Sequence, residues 1–137
     1  KVMKLNNVVF LLGEMERLPL APDLADVVIS NCVICLSTDK DELFRDAFRV
    51  LKPGGRMHIS DMLLEHGELP QEIKNDPERW VSCIGGAEAK DDYLSRITAA
   101  GFENPAVTES TPAGLSSGEL SSNVISAKVV AYKPMTA

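Results

Sequence analysis

The region between positions 26 and 61 constrains the fold most, because two strand-like runs flank an amphipathic stretch. Asp26–Ser30 is an apolar, β-branched run that suits a parallel strand covered on both faces, and Arg56–Asp61 predicts the next strand. Between them, apolar residues recur along one helical face: Leu43, Phe44, Ala47, Phe48 and Leu51. Pro53–Gly55 ends that helix, since proline cannot extend it and glycine permits a turn. The order predicts one βαβ unit with a right-handed crossover.

The second half of the chain continues this alternation. Lys90–Ala100 predicts a helix that Gly101 closes as its C-cap. Phe102–Glu109 and Asn123–Tyr132 predict two strands that are neighbours and antiparallel. Ser110–Ser122 is rich in Ser, Gly and Pro and predicts a mobile loop between them.

The remaining segments complete a single α/β domain. Val8–Leu12 is a short apolar run, ended by Gly13, that predicts a buried strand. Leu18–Asp23 is punctuated by prolines and predicts a loop, whereas Pro70–Ala87 is expected to be helical in part. No internal repeat or second domain is evident, so we expect one domain over residues 1–137.

Composition and charge exclude several kinds of partner. The formal net charge is -6, and Lys and Arg form no stripe, which argues against nucleic acid and against an acidic membrane surface. No run approaches the ~20 apolar residues of a membrane span, and no signal peptide opens the chain. The three cysteines are an odd number. Without a signal peptide they predict free thiols and a reducing, cytoplasmic location.

Cys32 and Cys35 have the C-x-x-C spacing of zinc and redox sites, but neither site is expected. A zinc ribbon needs a second pair of ligands, which Cys83 and two distant histidines do not supply at the required spacing. A redox pair opens a helix, whereas these cysteines follow a strand. No resident metal and no catalytic acid or base is predicted.

Three ordered motifs resemble class I S-adenosylmethionine-dependent methyltransferases. The Leu-Lys-Pro-Gly-Gly turn in Arg49–Arg56 is similar to the helix-to-strand turn of that family. Gly13–Pro19 resembles the segment that meets the adenine, which implies cofactor contacts from Glu14 and Met15. Asp26–Asn31 resembles the strand whose carboxyl end faces cofactor and substrate, which adds Asn31.

Two cysteine segments resemble arsenite methyltransferases in particular. Ser30–Ile34 is similar to their first cysteine segment and Asn75–Ala87 to their second. The resemblance implies that Cys32 and Cys83 bind trivalent arsenic, a soft centre that prefers thiolates. From the residue alone, without the resemblance, a small buried apolar side chain is the favoured interpretation of Cys32. Cys35 departs from the pattern, since the family usually has a polar residue there; we expect a bystander, with a third sulfur ligand as the alternative.

The sequence has no glycine-rich turn of the kind that seats most of this cofactor. The resemblance therefore implies the C-terminal portion of a methyltransferase domain: a partial doubly wound, Rossmann-like fold with parallel strands and crossover helices, a final antiparallel pair, and the first two strands missing. Val8–Leu12 would then correspond to the third strand and lose its neighbours. We expect it either to slide into the vacated position or to exchange with a second chain, giving a homodimer across the exposed sheet edge.

Three functions follow from these expectations. The first is methyl transfer to arsenite, with an isolated chain that is incomplete and doubtful as a catalyst. The second is a non-catalytic remnant that binds soft metals or metalloids through cysteines. The third is methyl transfer to another small molecule, with the cysteines incidental.

Overall fold

The computed structural model describes residues 5–115 and 122–136 and contains a four-stranded sheet. Its strands are β1 (Ala25–Asn31), β2 (Leu51–Leu64), β3 (Glu103–Pro112) and β4 (Val124–Tyr132). Its helices are α1 (Lys40–Val50), α2 (Gln71–Lys74), α3 (Pro77–Val81) and α4 (Lys90–Ala99), and a 3-10 turn (Ile34–Leu36) precedes α1.

The sheet order is β1-β2-β4-β3, which confirms the α/β class predicted from the sequence. β1 and β2 are parallel, with Val27 opposite Arg56 and Asn31 opposite Ser60. β4 runs antiparallel to both of its neighbours, β2 and β3. The last strand of the chain therefore inserts between two earlier ones, and the predicted antiparallel pair is confirmed.

The core lies on one face of the sheet, under α1 and α4. Phe44 of α1 and Tyr93 of α4 pack edge to face, with ring centroids 5.2 Å apart. The strands supply alternate residues to the same cluster: Met57, Ile59 and Leu63 from β2, and Ile125, Ala127, Val129 and Ala131 from β4. This period of two places the residues between them on the opposite face.

The opposite face of the sheet is open in the described part of the chain. Ile29 is 79% exposed there, and His58 and Lys128 are exposed beside it. β1 also forms one edge of the sheet. The expectation that this strand is covered on both faces is therefore wrong for the described residues, since α1 and α4 cover only one of them.

Val8–Leu12 is not a strand, contrary to the sequence-based expectation. The segment has no regular structure; Phe10 is 94% exposed and Leu12 is fully exposed. A strand needs a partner for its backbone groups, and among the described residues β1 pairs only with β2. The idea that the segment slides into the vacated position is therefore wrong, whereas its exchange with a second chain stays a prediction.

The N-terminus of α1 is capped by Asp39, whose side chain accepts from Glu42 N–H at 3.0 Å. Two expectations for the second half of the chain meet different outcomes. β3 extends to Pro112, so the predicted loop begins later than Ser110, and its residues 116–121 lie outside the described ones. Gly101, with a φ of 109°, follows α4 as predicted. In the described ranges no helix is long and apolar enough to cross a membrane.

A buried lysine stabilises the junction at which α1 ends and β2 begins. The Lys133 ammonium group donates to the carbonyl oxygens of Phe48 at 2.9 Å and Leu51 at 2.7 Å, and to Asp23 Oδ1 at 2.8 Å. It also lies 4.6 Å from the centroid of the Phe48 ring. A cation at a helix C-terminus satisfies carbonyls that have no partner in the helix, so Lys133 fixes where α1 ends.

Replacing this lysine tests that role. We expect Lys133→Met to lower the free energy of unfolding by about 2–4 kcal/mol, because buried carbonyls lose a charged donor. Urea denaturation measures the change. Lys128→Met is the control, since Lys128 is exposed and pairs only with Glu109 on the surface; it should change stability by less than about 1 kcal/mol. Equal effects from the two variants would contradict the role of Lys133.

The open edge and face predict self-association of the chain. We expect sedimentation velocity to show a dimer that forms with rising protein concentration, because unpaired strand edges recruit further strands. Ile29→Lys should shift the equilibrium toward monomer by placing a charge on the exposed face of β1. Val81→Lys on α3, where the native residue is 80% exposed, is the matched control and should leave it unchanged. A monomer at every concentration would contradict the dimer.

Candidate functional site

The first cysteine of the site lies just beyond the carboxyl end of β1. Cys32 N–H donates to the carbonyl of Ser60 at 2.7 Å, which extends the pairing of β1 with β2 by one bond. The φ of Cys32 is 53°, in the left-handed region that residues with a side chain seldom adopt. The chain therefore turns sharply at Cys32 and leads into the 3-10 turn.

The second cysteine, Cys35, is buried in that 3-10 turn against the carboxyl group of Asp61. Cys35 N–H donates to Asp61 Oδ2 at 3.0 Å, and the Tyr93 hydroxyl of α4 donates to the same oxygen at 3.2 Å. The other oxygen accepts from Met62 N–H at 2.9 Å. Asp61 is only 1% exposed, so its hydrogen bonds fix the turn against β2 and α4.

The third cysteine arrives from the segment after α3. Cys83 has a φ of 64°, and its Sγ donates to the carbonyl of Cys32 at 3.0 Å. Gly86 packs directly on the turn: a Cβ added there would lie 1.6 Å from the carbonyl oxygen of Cys35. Only glycine allows this approach, and it seats the Cys83 segment beside the other two cysteines.

The sulfur atoms of Cys32, Cys35 and Cys83 all lie within 4.8 Å of one another. All three are free thiols; Cys35 is buried, and the other two are partly exposed. A metal–sulfur bond is about 2.3 Å long, so two sulfurs on one ion can be at most about 4.6 Å apart. The cluster is thus close to the spacing at which thiolates share a single soft ion. The structure brings Cys35 to the predicted pair, although the sequence indicated a bystander.

Burial suppresses ionisation of the thiols. It raises the pKa of Cys32 to about 11, with a further contribution from the neighbouring Cys83 thiol. It also raises the pKa of Cys35, where the carboxyl group of Asp61 adds to the effect. The pKa of Asp61 is itself raised by burial, although its donors oppose that shift. Since only thiolates bind soft ions, each thiol must lose its proton when the ion binds.

The predicted cofactor contacts, Glu14, Met15 and Asn31, do not form one cluster as the three cysteines do. A cleft of about 140 Å³ beside the 3-10 turn is lined mainly by apolar residues, which include Met15, and by the polar Ser30. Glu14 and Asn31 do not line it; both are exposed, and Asn31 is the last residue of β1, next to Cys32. The structure therefore places Met15 in a cleft near the thiols, with Glu14 and Asn31 at the surface.

Salt bridges and backbone contacts hold the segment that carries Met15 against α1. Asp46 accepts from Leu18 N–H at 2.6 Å and pairs with Arg49 at 2.6 Å, and Arg49 donates to the Leu20 carbonyl at 2.7 Å. Burial alone would raise the pKa of Asp46, but Arg49 and the Leu18 N–H lower it below its usual range. The loop is therefore anchored by a charged group rather than left free.

Two features of the site were not predicted from the sequence. Asp61 lies inside β2 and orders the turn that carries Cys35. Tyr93 packs in the core, and its hydroxyl also donates to Asp61. An aspartate within an apolar strand is the one signal that could have indicated a buried partner.

Comparisons with known proteins agree with this architecture. A family model described as a methyltransferase domain matches residues 1–101. The arsenite methyltransferase of Halobacterium salinarum is 43% identical over 97 residues, covering 71% of this chain and 25% of that protein. The arsenite methyltransferase of Aquipseudomonas alcaligenes is 38% identical over 117 residues, covering 83% and 34%. The chain thus spans about a quarter to a third of the curated relatives it matches.

A solved structure supports the same fold. The arsenic(III) S-adenosylmethionine methyltransferase of Chlamydomonas reinhardtii has a TM-score of 0.74 and 33% sequence identity, covering 89% of this chain and 42% of that one. The predicted resemblance to arsenite methyltransferases and the predicted partial Rossmann-like fold are confirmed.

The raised thiol pKa predicts slow alkylation of Cys32 in the folded chain. Iodoacetamide reacts with the thiolate, and a pKa of about 11 leaves roughly a hundredfold less thiolate at pH 8 than an ordinary cysteine has. We expect peptide mass spectrometry to show that Cys32 is alkylated roughly a hundredfold more slowly than an ordinary cysteine at pH 8. The rate should rise about tenfold per pH unit up to pH 10. The chain unfolded in urea is the control. Equal rates in both states would show that burial does not suppress ionisation.

Proposed function

The chain belongs to the methyltransferase domain family, and we propose that it holds the substrate of an S-adenosylmethionine-dependent methyltransferase that acts on trivalent arsenic. One observation carries the proposal: Cys32 and Cys83 are 51 residues apart in sequence, yet their sulfur atoms lie within 4.8 Å. The relatives from Halobacterium salinarum and Aquipseudomonas alcaligenes, both arsenite methyltransferases, support arsenic as the ligand.

The chemistry of the two thiols suits this substrate. Trivalent arsenic is soft, so thiolates are its natural ligands. Bound S-adenosylmethionine supplies a sulfonium methyl group. Cys32 and Cys83 would hold the arsenic and would leave its lone pair free to react. Their contribution is positioning, which removes orientational freedom from the reacting pair, rather than proton transfer.

The cofactor side of the proposal depends on the cleft next to Cys32. Its apolar lining and the half-buried Met15 suit a flat, apolar group such as adenine. Glu14 and Asn31 would contact polar parts of the cofactor from the surface. The chain spans about a quarter to a third of the length of these relatives. Methyl transfer by the whole protein is therefore part of what we propose.

A second candidate is binding of a soft metal or metalloid without catalysis. It is favoured by the thiol cluster, which contains three sulfurs within this chain and needs no cofactor to form. Both candidates place the chain in a reducing compartment such as the cytoplasm, since the three cysteines are free. Methyl transfer to another small molecule is the remaining alternative, in which neither Cys32 nor Cys83 is required.

Calorimetric titration of the purified chain distinguishes the candidates. We expect one arsenite per chain. S-adenosylhomocysteine binding with micromolar affinity, measured with and without arsenite, would show that the cofactor pocket is completed in another way and would favour the first candidate. Arsenite capture without S-adenosylhomocysteine binding would favour the second candidate. A chain that is folded but captures no arsenite would contradict both.

Cysteine variants make the titration specific. We expect Cys32→Ser and Cys83→Ser each to weaken arsenite binding by about a hundredfold, because each removes a direct ligand and the chelate that it closes. Ser82→Ala is the matched control: it alters the neighbour of Cys83 without removing sulfur and should bind normally. Methyl transfer retained by both cysteine variants, assayed in the full-length protein, would favour a different substrate.

A further inference from the structure

We propose that Cys35 supplies the third thiolate of a self-contained, three-sulfur site that binds a trivalent thiophilic metalloid together with Cys32 and Cys83. This inference rests on the proposed function, because it assigns a further ligand to the same site. The sequence argued against such a role, since it set Cys35 apart from the predicted pair. Only the position of its sulfur, within 4.8 Å of both others, reverses that expectation.

The position of Cys35 is fixed by three separate structural elements. Asp61 of β2 accepts its N–H at 3.0 Å, and Tyr93 of α4 holds the same carboxyl group. Gly86 presses on its carbonyl group from the opposite segment. A ligand held in this way loses little conformational freedom on binding, which is the condition for a preorganised site.

The cluster is accessible although one member is buried. Cys35 is 1% exposed, but Cys32 and Cys83 are partly open to solvent. An ion can therefore reach the two outer sulfurs first and then bind the inner one. The left-handed backbone at Cys32 and Cys83 sets the direction of the outer side chains, which is the kind of strain that marks binding sites.

The number of ligands favours a trivalent metalloid over a tetrahedral ion. Structural zinc takes four protein ligands. Among the described residues, the group contains three cysteines and no fourth His, Cys, Asp or Glu. The oxygens of the nearby Asp61 are occupied by Cys35 N–H, Met62 N–H and the Tyr93 hydroxyl. Trivalent arsenic forms three bonds and keeps a lone pair, so three sulfurs complete its coordination.

Binding requires no change of oxidation state. Arsenite carries three hydroxyl groups, and each arsenic–sulfur bond that forms replaces one arsenic–oxygen bond. The thiol proton leaves with the displaced hydroxide as water. Three thiols therefore release three water molecules, and no oxidant or reductant takes part.

X-ray absorption spectroscopy of the arsenite-loaded chain counts the sulfurs directly. We expect three arsenic–sulfur bonds in the native chain and two, with one arsenic–oxygen bond, in Cys35→Ser. Two sulfurs in the native chain would overturn this inference and leave the proposed function intact. A chain that captures no arsenite would overturn both. This count on the native chain decides the question even if the variant does not fold.

A second probe separates ligation from a structural role. Phenylarsine oxide carries a phenyl group on trivalent arsenic and leaves only two positions for thiolates. We expect Cys35→Ser to weaken arsenite binding at least about tenfold, through loss of one chelate arm, and to leave phenylarsine oxide binding unchanged. Equal weakening of both probes would show that Cys35 only supports the fold, and would overturn the inference.

Two further controls complete the test. Ser37→Ala alters a buried residue at the end of the same 3-10 turn without removing sulfur, so both probes should bind it as they bind the native chain. Loss of arsenite binding in Ser37→Ala would mean that the assay reports the fold of the turn. Displacement of arsenite by equimolar zinc would assign the cluster to a tetrahedral ion instead and overturn the choice of ligand.

Discussion

The buried carboxyl group of Asp61 connects the parts of the molecule on which the thiol cluster depends. It lies inside β2, accepts the N–H of Cys35 from the 3-10 turn and accepts the Tyr93 hydroxyl from α4. A buried carboxyl group is costly unless it is hydrogen-bonded, so these donors must stay where they are for the fold to be stable. The hydrogen bonds that offset the cost of burying Asp61 therefore also fix the turn that carries Cys35. Through Tyr93, they also join α4 to the sheet at this point.

Backbone geometry completes the site from the other side. Cys32 and Cys83 both have left-handed φ values, 53° and 64°, and a hydrogen bond from the Cys83 thiol joins the two segments. Gly86 lets the backbones of these segments touch, since any Cβ would collide with Cys35. The sulfurs thus converge because two strained turns and one glycine contact bring them together, at the carboxyl end of a parallel strand where open α/β sheets bind their ligands.

The sequence was a good guide to elements whose signals are local. The helical spacing of Leu43 to Leu51 indicated α1, and the final antiparallel pair followed from two apolar runs. The boundary after α1 was predicted too late, because β2 begins at Leu51 and contains the Pro53–Gly55 turn that was expected to precede it. The sequence failed at Val8–Leu12, because an apolar run becomes a strand only beside a partner, and this run lies exposed. Cys32 and Cys83 were named as arsenic ligands through a family resemblance, and Met15, Glu14 and Asn31 as cofactor contacts; both assignments remain predictions, although the structure places the two sulfurs close together.

What the sequence determined by itself is the order and type of the elements and the chemistry of the thiols, because periodicity, turn residues and side-chain type are properties of short segments. What only the tertiary structure decided is which of those thiols meet. Gly86 packs against the 3-10 turn and so brings Cys83 to Cys35. Asp61, a residue of β2, holds that turn by accepting a hydrogen bond from Cys35 N–H. Such contacts join residues far apart in the chain, and no local pattern encodes them; they follow from how β2, α4 and the segment after α3 pack around one buried carboxyl group.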